Sequence, residues 1–183
     1  MRFSARATVG LDIGSRVVKA VQLRRNGKSI ELEKFGLAEI FPVGETIPSP
    51  QDQGPAKIKA VKLALESAGI TARQSCSSVR GESIIVRYIQ MPDMPPQELK
   101  NALRWEAEEY IPFRMDEVNL DYTIVGSTGE GSAKKLDVLL VCARKDLIND
   151  HLAVVRGAGL TPEIVDVDSF AFLNCFEINH QPE

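Results

Sequence analysis

The stretch Gly10-Leu11-Asp12-Ile13-Gly14-Ser15-Arg16-Val17-Val18-Lys19-Ala20-Val21 decides how the chain is read. Apolar residues alternate on either side of a break at Gly14-Ser15, and the second arm is rich in β-branched residues, so two strands meet at a tight turn. Asn26-Gly27 then supplies a second hairpin turn, because both residues tolerate positive φ, and residues 29–40 continue as a third strand. An antiparallel meander opens the protein. Its first turn has two readings. It can cradle a phosphate: Gly14 permits close backbone approach and an unusual φ, successive amides can aim at one anion, and the Ser15 hydroxyl can add a donor. Lys19 can place a point charge on a phosphate oxygen, and Asp12 can hold Mg²⁺ directly or through its water shell. It can equally be a surface hairpin in which Asp and Gly only make the bend. Spacing alone leaves both open.

Working outward, residues 41–55 hold Pro42, Gly44, Pro48, Pro50, Gly54 and Pro55, a proline density that keeps them out of a sheet interior. A helix over 56–68 carries Ile58, Val61, Leu65 and Ala68 on one face and stops at Gly69; a fourth strand covers 74–79. Residues 83–90 form a strand, and Pro96 opens a helix in which Leu99, Leu103, Ala107 and Tyr110 repeat at helical spacing, ended by Pro112. Strands over 119–125 and 136–143 flank a glycine-rich turn. A helix over 144–158 points Leu147, Ile148, Leu152 and Val155 inward, and a strand over 163–167 follows. Ala68-Gly69-Ile70-Thr71 echoes Ala158-Gly159-Leu160-Thr161, two similar helix-to-strand corners. The last helix, from Asp168 to Glu177, is apolar nearly all round (Phe170, Phe172, Leu173, Cys175, Phe176), which predicts burial, with its cover in sequence beyond this chain.

Composition bounds the function. With 183 residues, 44% apolar, 26% charged and a net charge of −3, the chain is an ordinary globular protein, and bulk electrostatic binding to nucleic acid is not expected. A basic run does lie in the first 28 residues (Arg2, Arg6, Arg16, Lys19, Arg24, Arg25, Lys28), and such runs usually form solvated faces. Cys76, Cys142 and Cys175 are far apart and the histidines number 2, so neither a zinc site nor a disulfide framework is expected, but reduced and mostly buried thiols. No apolar h-region follows the N-terminus and no run reaches the ~20 residues that cross a bilayer, so a cytoplasmic protein, membrane-associated only through partners, is expected.

No GxxxxGK[ST] or GxGxxG motif occurs, and two scattered histidines do not compose a nucleophilic triad. Glu106, Glu108 and Glu109 crowd the C-terminal end of their helix, against its dipole; a solvated face or a basic partner would explain them. Trp105 reads first as core filler and second as an interface anchor.

The opening segment resembles the first phosphate turn of the actin, Hsp70 and FtsA superfamily. Met91-Pro92, Trp105-Glu106-Ala107-Glu108-Glu109-Tyr110-Ile111-Pro112-Phe113, Asp116-Glu117-Val118-Asn119-Leu120-Asp121-Tyr122, Ala143-Arg144-Lys145-Asp146 and Val165-Asp166-Val167-Asp168-Ser169-Phe170-Ala171 narrow that likeness. Together they resemble the PilM family of cytoplasmic type IV pilus proteins along nearly the whole chain. The resemblance implies an α/β fold with a mixed sheet: an actin-like, ribonuclease H-like core from 1–81 and 160–183, an inserted strand-helix-strand-strand domain over 82–159 placed as in FtsA, and no second lobe.

It also implies ATP and Mg²⁺ as ligands of the complete protein, contacted by Asp12, Gly14, Ser15 and Lys19, with Asp168 near the attacking water. Arg16 stands where a small residue is commoner and would add a phosphate contact or crowd the turn. The implied partner is the N-terminal cytoplasmic peptide of PilN, docked where core and inserted domain meet, with other platform proteins and the assembly ATPase beyond it. One phosphate turn without its counterpart is expected to hold ATP weakly or not at all. The function implied is an ATP-binding scaffold of pilus assembly; the alternatives are an active ATPase, an FtsA-like filament protein or a type II secretion platform subunit.

Overall fold

A computed structural model describes residues 7–27 and 29–180. They divide into two units: Met1–Val79 with Asp150–Glu183, and Arg80–Asn149. The first unit is built on strands β1 (Thr8–Ile13), β2 (Val17–Asn26), β3 (Ser29–Glu39), β4 (Gln74–Val79) and β8 (Thr161–Val167), with helices α1 (Gly54–Ser67), α3 (Lys145–Gly157, which begins in the second unit) and α4 (Asp168–Asn179). Its sheet runs β3-β2-β1-β4-β8. The pairs β1/β2 and β2/β3 are antiparallel, whereas β4 is parallel to both β1 and β8. The meander and the mixed sheet are both present.

One face of that sheet carries the core. Val9, Leu11, Val18 and Ala20 point every second residue toward Ala60, Val61, Ala64 and Leu65 of α1 and Val154 and Val155 of α3. The approach of α1 is close enough to require a glycine on β3: a Cβ at Gly36 would sit 2.0 Å from the Ala64 carbonyl oxygen. The two echoing corners are built alike. Gly69 (φ 60°) and Gly159 (φ 85°) take the left-handed conformation, and the next amide, Ile70 or Leu160, reaches back five residues to the carbonyl of Leu65 or Val155 at 2.9 and 3.3 Å.

The second unit holds β5 (Ile84–Pro92), α2 (Pro96–Tyr110), β6 (Val118–Thr128) and β7 (Lys135–Arg144), with an antiparallel sheet ordered β5-β7-β6. β7 alternates strictly, burying Leu136, Val138, Leu140 and Cys142 beneath Leu99, Leu103 and Ala107 of α2. This is the strand-helix-strand-strand order expected.

Four expectations change. The unit boundary expected at 159 falls at 149, because from Asp150 onward α3 belongs to the first unit, whose core takes Val154, Val155, Ala158 and Leu160. α4 is not buried: Phe172 is 74% exposed and Leu173, Phe176 and Ile178 are exposed too, its main contacts being with β8 and β4. An apolar helix predicts a cover; it does not supply one. Trp105 is 74% exposed, because it stands on the side of α2 opposite the Leu99/Leu103/Ala107 stripe. Of the thiols only Cys142 is buried; Cys76 is half-buried and Cys175 exposed.

Candidate functional site

β1, β4 and β8 run parallel, so their C-terminal ends share one edge of the sheet. Register sets what meets there: Leu11 pairs with Ser77, Ser77 with Val165, Ser78 with Asp166 and Val79 with Val167. The turn after Ile13 and the start of α4 at Asp168 therefore lie at one level, on strands separated only by β4, roughly 10 Å apart at the spacing of neighbouring strands. In open α/β sheets this edge is where ligands are bound.

The turn is closed by the Gly14 N–H donating to the Val17 carbonyl at 3.0 Å. That bond uses the amide expected to face a ligand, and Gly14 is not among the glycines of positive φ. Both points correct the sequence expectation; the bend is tight enough to form without the left-handed region. Among the described residues no hydrogen bond takes the Ser15 or Arg16 N–H. Two consecutive amides and the exposed Ser15 hydroxyl thus remain for an acceptor.

Asp12 and Lys19 are direct cross-strand partners in the ladder. Lys19 Nζ lies 2.7 Å from Asp12 Oδ2, and both side chains are 51% exposed. At rest each neutralises the other. Lys19 therefore reaches an anion by exchanging one oxygen for another, and Asp12 reaches a cation only when Lys19 swings away. Among the described residues no three His, Cys, Asp or Glu side chains gather as a metal cluster, so Asp12 has no pair of further ligands beside it to share a cation.

Arg16 turns elsewhere. Its Nη1 donates to the Pro42 carbonyl at 3.0 Å and its Nη2 to the Glu45 carbonyl at 3.4 Å. Its own carbonyl accepts from the Ile40 and Phe41 amides at 2.7 and 3.4 Å. Arg16, expected either to add a phosphate contact or to crowd the turn, here grips the proline-rich loop. Asp168, exposed at the first turn of α4, stands at the shared edge next to half-buried Asp166, whose Oδ1 accepts from the Val167 amide at 2.7 Å.

A half-buried histidine escaped sequence reasoning. His151 Nε2 lies 2.8 Å from Ser77 Oγ, tying α3 to β4 two residues before that strand ends. Burial, then the Lys57 ammonium, holds the imidazole below its ordinary pKa, which keeps it neutral; burial also lowers Lys57, opposed by Asp150. The signal was present: His151 lies four residues from both Leu147 and Val155, on the inward stripe of α3.

The model of the family described as "Type IV pilus assembly protein PilM" matches residues 10–181. A solved chain from a "PilM-PilN type IV pilus biogenesis complex" is similar at 31% identity with a TM-score of 0.79; the match covers 94% of this chain and 50% of that one. The cytoplasmic domain of Epsl, an inner-membrane component of the type II secretion system of Vibrio cholerae, is similar at 16% identity and TM-score 0.55, over 90% of this chain and 58% of that one, and shares the fold. The chain spans half the length of the pilus protein that it matches. No helix among the described residues is long and apolar enough to cross a membrane.

Proposed function

The chain belongs to the PilM family of type IV pilus assembly proteins, and we propose that it serves there as an ATP-binding scaffold that receives the N-terminal cytoplasmic peptide of a PilN protein. The observation that carries the nucleotide part is the turn at the shared strand edge, with free Ser15 and Arg16 amides beside Lys19. Backbone donors need no reorganisation to meet an anion, and Lys19 adds a mobile cation. ATP supplies the polyphosphate that these donors recognise, and Mg²⁺ would be held by Asp12 through water. The turn binds and orients; Asp168, at the other end of the same edge, would hold a water. The matched pilus complex, which pairs a PilM chain with PilN, supports the partner. Through that partner the protein would work at the inner face of the membrane, with other platform proteins and the assembly ATPase.

Calorimetric titration with Mg-ATP, and separately with a synthetic N-terminal peptide of PilN, tests the two halves. Binding of the peptide and nucleotide binding that falls in Lys19→Ala support the scaffold. Failure of the peptide to bind, with or without ATP, defeats it. Asp168→Ala separates scaffold from enzyme: hydrolysis lost with peptide binding intact would make the protein an ATPase, whereas no hydrolysis in the unsubstituted protein leaves the scaffold.

A further inference from the structure

Arg16 is held from both ends. Its backbone carbonyl receives the amides of Ile40 and Phe41, two buried residues that end the sheet and open the proline-rich loop. Its guanidinium reaches past them to the carbonyls of Pro42 and Glu45. Those two residues are themselves the ends of a tight turn: the Glu45 amide donates to the Pro42 carbonyl at 3.2 Å, and Gly44, at the third position, has the positive φ (94°) that a type II turn takes there. The Pro42 carbonyl thus accepts from Glu45 and from Arg16 at once. A planar guanidinium is suited to this, because its donors sit on separate nitrogens in a fixed fork that spans two spaced acceptors; an ammonium has three donors but bunches them on one nitrogen at the end of a flexible stem, so it does not reproduce that span. On the other side of Arg16, its amide and that of Ser15 are free of hydrogen bonds among the described residues. The residue that grips the loop is therefore the same one whose N–H is left without a partner among the described residues.

We propose that Arg16 is a positioning residue of the phosphate turn: by bracketing the 40–45 loop with its carbonyl and its guanidinium, it holds the Gly14–Val17 turn in the shape that leaves the Ser15 and Arg16 amides open to a phosphate. This rests on the nucleotide reading above for the identity of the anion, but the bracket itself does not. Moving the guanidinium to a phosphate would strip two loop carbonyls, so Arg16 acts through the backbone and not as a charge on the ligand. It follows that Lys, which keeps the charge, does not replace it.

The test uses the whole chain with Arg16→Lys and Arg16→Ala, read in two ways. Without ligand, hydrogen exchange at the Glu45 amide reports the bracket; both substitutions are expected to speed it roughly tenfold, the scale of one net hydrogen bond, with little change in thermal midpoint. With inorganic phosphate or Mg-ATP as probe, the Ser15 amide resonance reports the turn; both substitutions are expected to weaken its response about equally. Unchanged exchange at Glu45 in both variants overturns the bracket. Faster exchange in Arg16→Lys with unaltered anion affinity overturns positioning and makes Arg16 a charge contact. If the unsubstituted protein shows no Ser15 response even to a large excess of either probe, the turn by itself is no anion site and the positioning role falls, while exchange at Glu45 still decides whether Arg16 braces the loop.

Discussion

Lys19 reaches across the first hairpin to Asp12, with Nζ and Oδ2 2.7 Å apart on opposed residues of β1 and β2. The pair is half open to water, where such contacts contribute about 0–1 kcal/mol. Lys19→Met is therefore expected to leave the urea midpoint nearly unchanged while reducing affinity for Mg-ATP or phosphate. Asp12→Asn, which frees the lysine, is expected to raise affinity for phosphate without magnesium. Equal loss in both variants would show that the pair serves stability and not ligand exchange.

Gly36 has no room for a side chain. Its Cβ would lie 2.0 Å from the Ala64 carbonyl oxygen and 2.9 Å from the carbonyl carbon, both backbone of α1. Helix and strand would have to separate, so Gly36→Ala is expected to cost about 2–3 kcal/mol, at the upper end of overpacking. Chemical denaturation measures it, and a cost below about half a kilocalorie would mean that α1 sits farther from β3 than described.

The His151–Ser77 contact predicts a direction with pH. Burial and Lys57 lower the folded-state pKa of His151 from its ordinary 6.5, so the unfolded chain takes up the proton first. The stabilisation is present above that ordinary value and is lost as pH falls through the lowered one. Thermal midpoints recorded from about pH 8 down to about pH 5 should decline more steeply in the native chain than in His151→Gln. Parallel declines would assign the pH dependence to other groups.

On α4, Phe172 and Ile178 are 74% and 56% exposed, so replacing both with Ser removes apolar surface without opening a cavity. Stability is expected to shift by no more than about 0.5 kcal/mol, while binding of a fluorescent apolar dye falls. A loss of several kilocalories would place those side chains inside a core.

The sheet was legible because its signals are local: period-two alternation, the Asn26-Gly27 bend and the paired Ala-Gly-apolar-Thr corners each act within a few residues. The turn at Gly14 was legible as a place but not as a geometry, because whether an amide is free depends on which carbonyl closes the bend. The loop contacts of Arg16 were not legible for a related reason: its acceptors lie 26 and 29 residues away in a loop with no periodicity to betray them. Trp105 and α4 show the opposite error. Hydrophobicity states what a residue prefers to touch; only the packing arrangement decides whether anything stands there.

The division of the chain carries a consequence for biosynthesis. Arg80–Asn149 is continuous in sequence, whereas the first unit is split around it, and β4 finds its partner β8 only after that whole stretch has been made. On a ribosome the later-encoded module has all its strands before the earlier one can close its sheet. Until residues 161–167 emerge, β4 waits with an open edge, the interval in which a nascent chain is most exposed to mispairing and in which a chaperone has something to hold.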